Sequence, residues 1–346
     1  MGNVFLGLAI PVFAAVASAQ TIERAFQFVH TETAQSMNEI ATAVRTMGEI
    51  TGVTVNPVQR SFTVQGTAAQ IAFAGWLFAG LDLKTPVPPD SGTHEYRFQS
   101  GADNIVRVYY IDHGQSVQEF QEVATAMRTA GDIRRVYTYN AGRALIVRGT
   151  EDQLAMCDWY LNEIWAHGNL PGPHAVSAEY QMQNIAAPYP NENTVRVLYM
   201  ANGASVQQFQ ELATAIRTVG DIRRVYTYNA PRAMLVRGTS DQVALATWLF
   251  NEMDQPVAAR QSTASSGYKF PIAGDPADSV RVFYLTHSRS DSEFQDNAAA
   301  IRSQVDTRGI YACNSGRALV IRGTGEQIAQ AERLMQQLDA TLQAGK

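Results

Sequence analysis

The chain repeats one pattern four times, and this repetition constrains its fold more than any other feature. A Gly-Thr pair recurs at intervals of 83 to 89 residues. Other landmarks recur in phase with it, namely an Arg-Thr or Arg-Ser pair and an Asn. Repetition at a fixed period indicates one supersecondary unit copied in series. The landmarks are Gly66-Thr67, Gly149-Thr150, Gly238-Thr239 and Gly323-Thr324; Arg45, Arg128, Arg217 and Arg302; and Asn56, Asn140, Asn229 and Asn314.

Each unit has the same predicted order of strands and helices. A strand with alternating apolar residues, such as VRVYYID from Val106, precedes a helix that Ser116 and Glu119 would cap. Two strands joined at Asn140-Ala141-Gly142 form a hairpin, and Thr150 with Gln153 caps a second helix. The predicted fold class is therefore α+β: a tandem array of four βαββα modules, each a three-stranded sheet with two helices on one face.

Segments rich in Pro, Gly and Ser separate the units. They end in short extended pieces, HEYRF, AEYQM and GYKF, which could pair with the next unit's first strand. The predicted modules are 20–84, 95–167, 178–254 and 267–340, with linkers at 85–94, 168–177 and 255–266.

The first residues have the composition of an export signal. An apolar run of roughly a dozen residues ends in Ala17-Ser18-Ala19, which predicts cleavage after Ala19 and a periplasmic or secreted protein. No Lys or Arg precedes the run, so a buried first helix is the alternative. The run is too short to span a bilayer, which needs about 20 apolar residues. We expect no transmembrane segment in the mature chain.

The second strand of the hairpin and its helix cap point to a family. The run Asn-x-x-x-Ala-Leu-Ile-Val-Arg-Gly-Thr-x-x-Gln, with the Ser-capped helix after VRVYY, resembles the N-terminal periplasmic domains of secretins. The resemblance implies small βαββα modules, similar in shape to KH domains and to a short domain of some TonB-dependent receptors. It covers all four units and is weakest in unit 1. In secretins a pore-forming domain follows these modules, whereas here the sequence stops after the last helix. The resemblance therefore implies a periplasmic arm without its channel, and partners in an envelope secretion or pilus machine.

No repeated set of reactive residues accompanies the repeated units. His30, His113 and His287 lie near the loop after the first strand, and Asn202 takes that place in unit 3, which favours a polar loop residue. Cys157 and Cys313 give neither a disulfide framework nor a zinc spacing. We therefore expect no enzyme activity, catalytic residue, metal, cofactor or small-molecule substrate.

Arginine and tyrosine alternate along the hairpin strands of units 2 and 3. Such a stripe could bind an anionic polymer, nucleic acid or envelope polysaccharide, with the rings as stacking platforms. The alternative is solvated strand positions that pair with the acidic residues. A net charge of −5 and an isoelectric point near 5.7 argue against a dedicated nucleic-acid binder. The candidate residues are Arg134, Arg135, Tyr137, Tyr139, Arg223, Arg224, Tyr226 and Tyr228.

In units 1 to 3, the residue pattern of the second helix predicts an apolar outer face in addition to the face that packs into the core. Nine residues after the capping Thr, opposite the core stripe, three units carry Trp, and six residues after it the same units carry another large apolar residue. Unit 4 has Gln330 and Arg333 there. Each Trp could pack under its own linker, against a neighbouring module, or against a partner. These candidate interaction residues are Phe73, Met156 and Leu245, and Trp76, Trp159 and Trp248.

From the sequence we expect a non-enzymatic periplasmic or secreted repeat protein that makes protein–protein contacts or self-associates. Binding of an anionic polymer is the alternative function.

Overall fold

The structure is a computed structural model in which the chain forms two compact units, one up to Thr85 and one from Pro86. The predicted signal peptide, His113, His287 and most linker residues lie outside the residues that it describes. The described residues are 21–84, 94–111, 116–167, 177–183, 185, 189–202, 205–256, 267–269, 279–285, 288, 290–307 and 309–344.

The first unit is a single βαββα module, here called module 1, with sheet order β1-β3-β2. Its strands pair antiparallel. The buried faces of both helices pack against one face of the sheet, with residues such as Phe62 of the sheet and Leu77 of the second helix fully buried. Its elements are β1 Ile22–Gln27, α1 Ala34–Gly48, β2 Gly52–Asn56, β3 Ser61–Gly66 and α2 Ala68–Leu81.

The second unit contains three copies of the same element order, so the predicted α+β fold class is confirmed. Each copy adds a short fourth strand before its first strand, which is the pairing predicted for the ends of the linkers. Module 2 comprises β4 His94–Arg97, β5 Ile105–Tyr110, α3 Val117–Gly131, β6 Arg135–Tyr139, β7 Ala144–Gly149 and α4 Glu151–His167. Module 3 comprises β8 Tyr180–Gln181, β9 Thr194–Tyr199, α5 Val206–Gly220, β10 Arg224–Tyr228, β11 Ala233–Gly238 and α6 Ser240–Met253. Module 4 comprises β12 Gly267–Lys269, β13 Ser279–Tyr284, α7 Asp291–Gln304, β14 Gly309–Cys313, β15 Ala318–Gly323 and α8 Gly325–Ala344.

The predicted capping boxes are present at the second helices, and the serine caps are present at the first helices of modules 2, 3 and 4. At the start of each second helix, the Thr hydroxyl accepts from the Gln backbone N–H, while the Gln side-chain Oε1 accepts from the Thr backbone N–H. At the first helices, the hydroxyls of Ser116, Ser205 and Ser290 accept from the backbone N–H three residues on. These local bonds satisfy N–H groups that a helix start leaves free.

The hairpin turn is one residue longer than predicted and ends at an arginine. Arg143 has a left-handed backbone (φ 46°) and donates its N–H to the Asn140 carbonyl over 3.3 Å. Its own carbonyl accepts from the Ile111 N–H over 2.8 Å, which fastens the turn to the end of β5. In module 1 the corresponding turn begins at Pro57, so Asn56 is the last strand residue and not part of the turn. Arg60, Arg232 and Arg317 repeat this conformation.

The sheets of modules 3 and 4 are covered on both faces. Met234 and Val236 of β11 point into the core of module 3, whereas Ala233 and Leu235 join the core of module 2. β15 alternates in the same way: Val320 joins the core of module 3 and Leu319 that of module 4. The second face of each sheet packs against the first helix of the preceding module, α3 against β10 and α5 against β14. Two continuous cores therefore join modules 2, 3 and 4 in series.

Candidate interaction surfaces

Polar side chains of module 2 fix the position of module 3. The Glu122 carboxylate on α3 accepts from the Asn229 backbone N–H over 2.9 Å and from its side-chain amide over 2.8 Å. Asp132, which follows α3 with a left-handed backbone, pairs with the Arg224 guanidinium over 2.8 Å. Arg237 is 1% exposed, lies 3.1 Å from Asp132 and donates to the Ala130 carbonyl. Charged hydrogen bonds of this kind fix register because an imperfect fit would leave buried charge unpaired.

The contact between modules 3 and 4 reuses the same positions with fewer charges. Glu211, at the place of Glu122, accepts from the Ser315 backbone N–H over 2.9 Å. Arg322, at the place of Arg237, donates to the Val219 carbonyl over 3.0 Å. The place of Arg224 is taken by Gly309, where an added Cβ would lie 3.6 Å from the Thr218 carbonyl oxygen. This second contact therefore relies more on close packing.

The Arg/Tyr stripe does not form an open surface in module 3. Tyr228 is buried in the joint core of modules 2 and 3, and Tyr226 packs against that core and hydrogen-bonds with Thr125. Burial raises the pKa of Tyr228, and the nearby carboxylates of Glu119 and Glu122 raise it further. The prediction that this tyrosine lies open for stacking is wrong, since its strand faces the preceding module.

The arginines of the stripe are used within the chain as well. Arg224 pairs with Asp132 and with Glu192, and Arg135 pairs with Asp103. Arg223 is exposed, and its guanidinium carbon lies 4.1 Å from the Tyr189 ring centre. In module 2, Tyr139 is buried and Tyr137 half-buried, whereas Arg134 is exposed. Two of the four candidate arginines are therefore exposed, too few for a continuous basic stripe.

The prediction for the residues six places after the capping Thr is also wrong. Phe73, Met156 and Leu245 are 0%, 0% and 1% exposed. The second helix packs against the first helix as well as the sheet, so its buried face is wider than one stripe. These side chains lie over the glycine that ends the first helix: a Cβ added at Gly48 would lie 2.8 Å from a Phe73 ring carbon, and one at Gly131 2.8 Å from the Met156 Cε.

This close approach makes Gly48 sensitive to added volume. We expect Gly48→Val to lower the free energy of unfolding of module 1 by about 1–3 kcal/mol, because a packed ring cannot move away without strain. Hydrogen exchange of residues 21–84 would measure it. Gly325→Val is the matched control, since nothing lies within 4 Å of a Cβ there. Equal effects of the two substitutions would contradict the packing explanation.

The tryptophans are half-buried, and two of them stack on tyrosines of the following fourth strand. The Trp159 and Tyr180 ring centres are 5.3 Å apart and the ring planes are inclined by 29°. Trp248 and Tyr268 form the equivalent contact at 5.4 Å, with the ring planes tilted by 36°. Of the three alternatives for these residues, packing against the neighbouring module is the one observed at Trp159 and Trp248, since β8 and β12 belong to modules 3 and 4. The stacking fastens each fourth strand to the preceding module's second helix.

The stacking predicts a fluorescence change. In a variant that keeps Trp248 alone, we expect Tyr268→Ala to raise the acrylamide quenching constant about twofold, because one ring face becomes open to solvent. Tyr180→Ala in the same background is the control and should leave quenching unchanged. Equal quenching with and without Tyr268 would show that the tyrosine does not cover the ring in solution.

The loop after the first strand is held by an aspartate that sequence reasoning did not single out. In module 1 the Asp82 carboxylate accepts from the N–H groups of Val29, His30 and Thr31 and from the Thr31 hydroxyl, at 2.7 to 3.1 Å. In module 3 Asp254 accepts from the N–H groups of Ala201 and Asn202 at 2.6 and 2.8 Å. His30 and Asn202 therefore occupy a loop that is organised through its backbone. The available signal was the Asp fifteen residues after the capping Thr.

The described residues contain neither a candidate metal site nor an exposed cysteine. No group of three or more His, Cys, Asp or Glu within them could hold a metal ion. Cys157 and Cys313 are buried, and burial raises the pKa of both thiols. None of the described helices combines the length and apolarity required to cross a membrane.

Comparison with known proteins finds similarity among solved structures alone. No protein-family profile and no curated protein matches the chain. The structure of Aeromonas hydrophila ExeD is 15% identical with a TM-score of 0.16, and covers 69% of this chain and 42% of its own. The type II secretion system secretin GspD of E. coli K12 is 9% identical with a TM-score of 0.16, covering 69% and 40%. The N-terminal domain of the secretin XcpQ from Pseudomonas aeruginosa is 15% identical with a TM-score of 0.20, covering 64% and 94%.

This chain thus spans about two fifths of the length of the ExeD and GspD chains.

Proposed function

We propose that the chain is a non-enzymatic scaffold for protein–protein contacts, exported to the periplasm or secreted, and associated with an envelope secretion or pilus machine. The modules are proposed as 20–84, 95–167, 178–254 and 267–340, after a signal peptide cleaved behind Ala19. The export and machine associations rest on the resemblance to secretin N-terminal domains.

The observation that carries the scaffold proposal is the double-sided burial of the sheets in modules 3 and 4. The repeated Arg, Tyr and Glu side chains there hold one module against the next. Modules that are held in series by repeated contacts are typical of repeat proteins that present an extended binding surface.

Site-specific photocrosslinking in cells would test the proposal. Val117 and Val206 are 60% and 50% exposed at the starts of α3 and α5, so a photoreactive residue there would not disturb the core. We expect adducts with a subunit of a secretion or pilus machine, identified by mass spectrometry. A photoreactive residue in place of buried Leu145 is the matched control for nonspecific capture. Absence of machine subunits from adducts at both exposed positions, with the protein exported and folded, would contradict the proposal.

The alternative, binding of an anionic polymer, is disfavoured by the pairing of Arg224 and Arg135 within the chain. A binding titration at two salt concentrations tests it. Polymer binding predicts an affinity that falls steeply with salt, with Arg134→Ala and Arg223→Ala reducing the slope by about one each.

A further inference from the structure

Among the described residues, module 1 has no counterpart of the short fourth strand found in the other three modules. In modules 2, 3 and 4 the outer edge of the first strand pairs with β4, β8 or β12. The equivalent edge in module 1 belongs to β1, and among the described residues no strand pairs with it. Glu23, Arg24 and Ala25 of β1 are exposed. An unpaired strand edge is a template for another strand.

The ladder shows which backbone groups are open. Phe28 donates its N–H to the Arg60 carbonyl, and Phe26 lies opposite Phe62, so the even-numbered residues of β1 bond to β3. Backbone groups of successive residues point to opposite sides of a strand. The N–H and C=O groups of Glu23, Ala25 and Gln27 therefore point to the open edge.

The other modules show which side chains an incoming strand would carry. The Arg107 guanidinium on β5 pairs with the Glu95 carboxylate on β4, over 2.5 Å. In module 3, Arg196 on β9 pairs with Glu179, which precedes β8, over 3.3 Å. A carboxylate before the tyrosine of the fourth strand thus neutralises an arginine of the first strand in two modules.

Arg24 is the equivalent arginine in module 1, and in the described part of the chain neither kind of partner found elsewhere pairs with it. The second helix supplies Asp158 to Arg107, Thr247 to Arg196 and Glu332 to Arg281. That helix position is Gly75 in module 1, which has no side chain to offer. Arg24 lies over the Phe26 ring at 5.3 Å and makes no ion pair among the described residues. Its position is thus suited to a carboxylate supplied by an added strand.

A second copy of β1 would not supply that carboxylate. Antiparallel pairing through the open groups aligns Glu23, Ala25 and Gln27 with one another. With Ala25 opposite Ala25, Arg24 faces Phe26. With Glu23 opposite Ala25, Arg24 faces Arg24, which is repulsive. An antiparallel strand that places a carboxylate opposite Arg24 therefore differs in sequence from β1.

We propose that the outer edge of β1 accepts an extended segment of a partner protein as an antiparallel fourth strand, with an acidic side chain of that segment opposite Arg24. This inference rests on the proposed scaffold function and names its mode of binding, strand addition to a sheet edge. The backbone ladder supplies the attraction, and the Arg24–carboxylate pair sets the register.

A labelled peptide with the chain's own fourth-strand sequence, THEYRFQ (residues 93–99), is a suitable probe. We expect its fluorescence anisotropy to rise saturably when the chain from Gln20 to Lys346 is added. Ala25→Pro removes an outward N–H without removing a bond to β3, so it should weaken binding at least about tenfold while the melting temperature stays within a few degrees. No saturable binding, or equal binding to Ala25→Pro, would overturn the proposal.

A charge exchange tests the predicted register. Arg24→Glu should weaken binding about two- to fivefold, as exposed ion pairs do, and a peptide with Lys in place of its Glu should recover the loss. If neither Arg24→Glu nor the exchange of Glu for Lys in the peptide changed the affinity, the role of Arg24 would be contradicted.

Hydrogen exchange of the whole chain from Met1 gives an independent measurement. Without peptide, the Ala25 and Gln27 amides should exchange rapidly and the Arg24 and Phe26 amides slowly, and peptide should protect the first pair. Protection of Ala25 and Gln27 before peptide is added would mean that the chain covers its own edge, and would overturn the proposal. Machine adducts from Val117 and Val206 do not depend on β1, so the scaffold proposal can survive failure of this one.

Discussion

Replacing Arg237 by alanine is expected to lower the free energy of unfolding of the 94–344 array by about 2–4 kcal/mol. The guanidinium donates to the Glu192 carbonyl over 2.7 Å and to the Ala130 carbonyl, and pairs with Asp132. Removing it takes the guanidinium donor from both carbonyls at the contact between modules 2 and 3, while Asp132 keeps its ion pair with Arg224. The effect stays below that of a fully buried ion pair, because the Asp132 side chain is 47% exposed.

Urea unfolding followed by circular dichroism would measure the loss. Arg134→Ala is the matched control, since Arg134 is an exposed arginine directly before β6 of module 2. Its removal should change the free energy of unfolding by less than about 0.5 kcal/mol. Arg237→Met, which keeps an apolar stem, should fall between the two. If Arg237→Ala were no more harmful than Arg134→Ala, the guanidinium would not hold the two modules together.

The parts of the fold that follow local rules could be predicted from sequence. The Thr150–Gln153 box is decided within four residues, because the two side chains satisfy each other's backbone N–H. The pairing of HEYRF with the next strand was expected because HEYRF is a short extended piece at the end of a linker. The module order is a consequence of such local preferences repeated four times.

The contact between modules could not be read in the same way. Glu122, which accepts from the Asn229 side-chain amide, lies 107 residues earlier in the chain. In the sequence it cannot be distinguished from a glutamate on the solvent face of a helix, although it is buried in the structure. One signal was present: AMLV in β11 is continuously apolar, which is typical of strands buried on both faces, whereas one-sided cover predicts alternation. In β3 of module 1, SFTVQ, apolar and polar residues alternate, which predicts cover on one face only. Its buried and less buried residues alternate accordingly, whereas every residue of β11 is buried.

The error at Phe73, Met156 and Leu245 has a geometric cause. A stripe drawn from residues at spacings of three and four describes a helix with a single neighbour. The second helix of each module has two neighbours, the sheet and the first helix, and the glycine that permits their approach lies some 25 residues earlier. In module 4 the same position is polar: it is Gln330, whose side-chain amide donates to the Gln304 carbonyl.

The Asp82→Ala variant is expected to show the largest loss of stability within module 1, about 2–3 kcal/mol. The carboxylate accepts four hydrogen bonds, and its removal leaves the backbone N–H groups of Val29, His30 and Thr31 without their acceptor at a partly buried loop. Hydrogen exchange of residues 21–84 should rise throughout. Asp254→Ala is the matched control: it should raise exchange within module 3 and leave residues 21–84 unchanged.

The same carboxylate predicts how module 1 responds to acid. Burial raises the pKa of Asp82, but the hydrogen bonds from Val29, Thr31 and His30 outweigh burial and hold the pKa below its ordinary value of 3.8. A carboxyl group with a lowered folded pKa contributes stability that is complete above its unfolded pKa and is lost as the pH falls towards the folded one. Module 1 should therefore lose stability below about pH 4, and Asp82→Ala should flatten that dependence, as measured by exchange at pH 6, 4 and 3. An unchanged acid response in the variant would assign the loss to another carboxylate of the module.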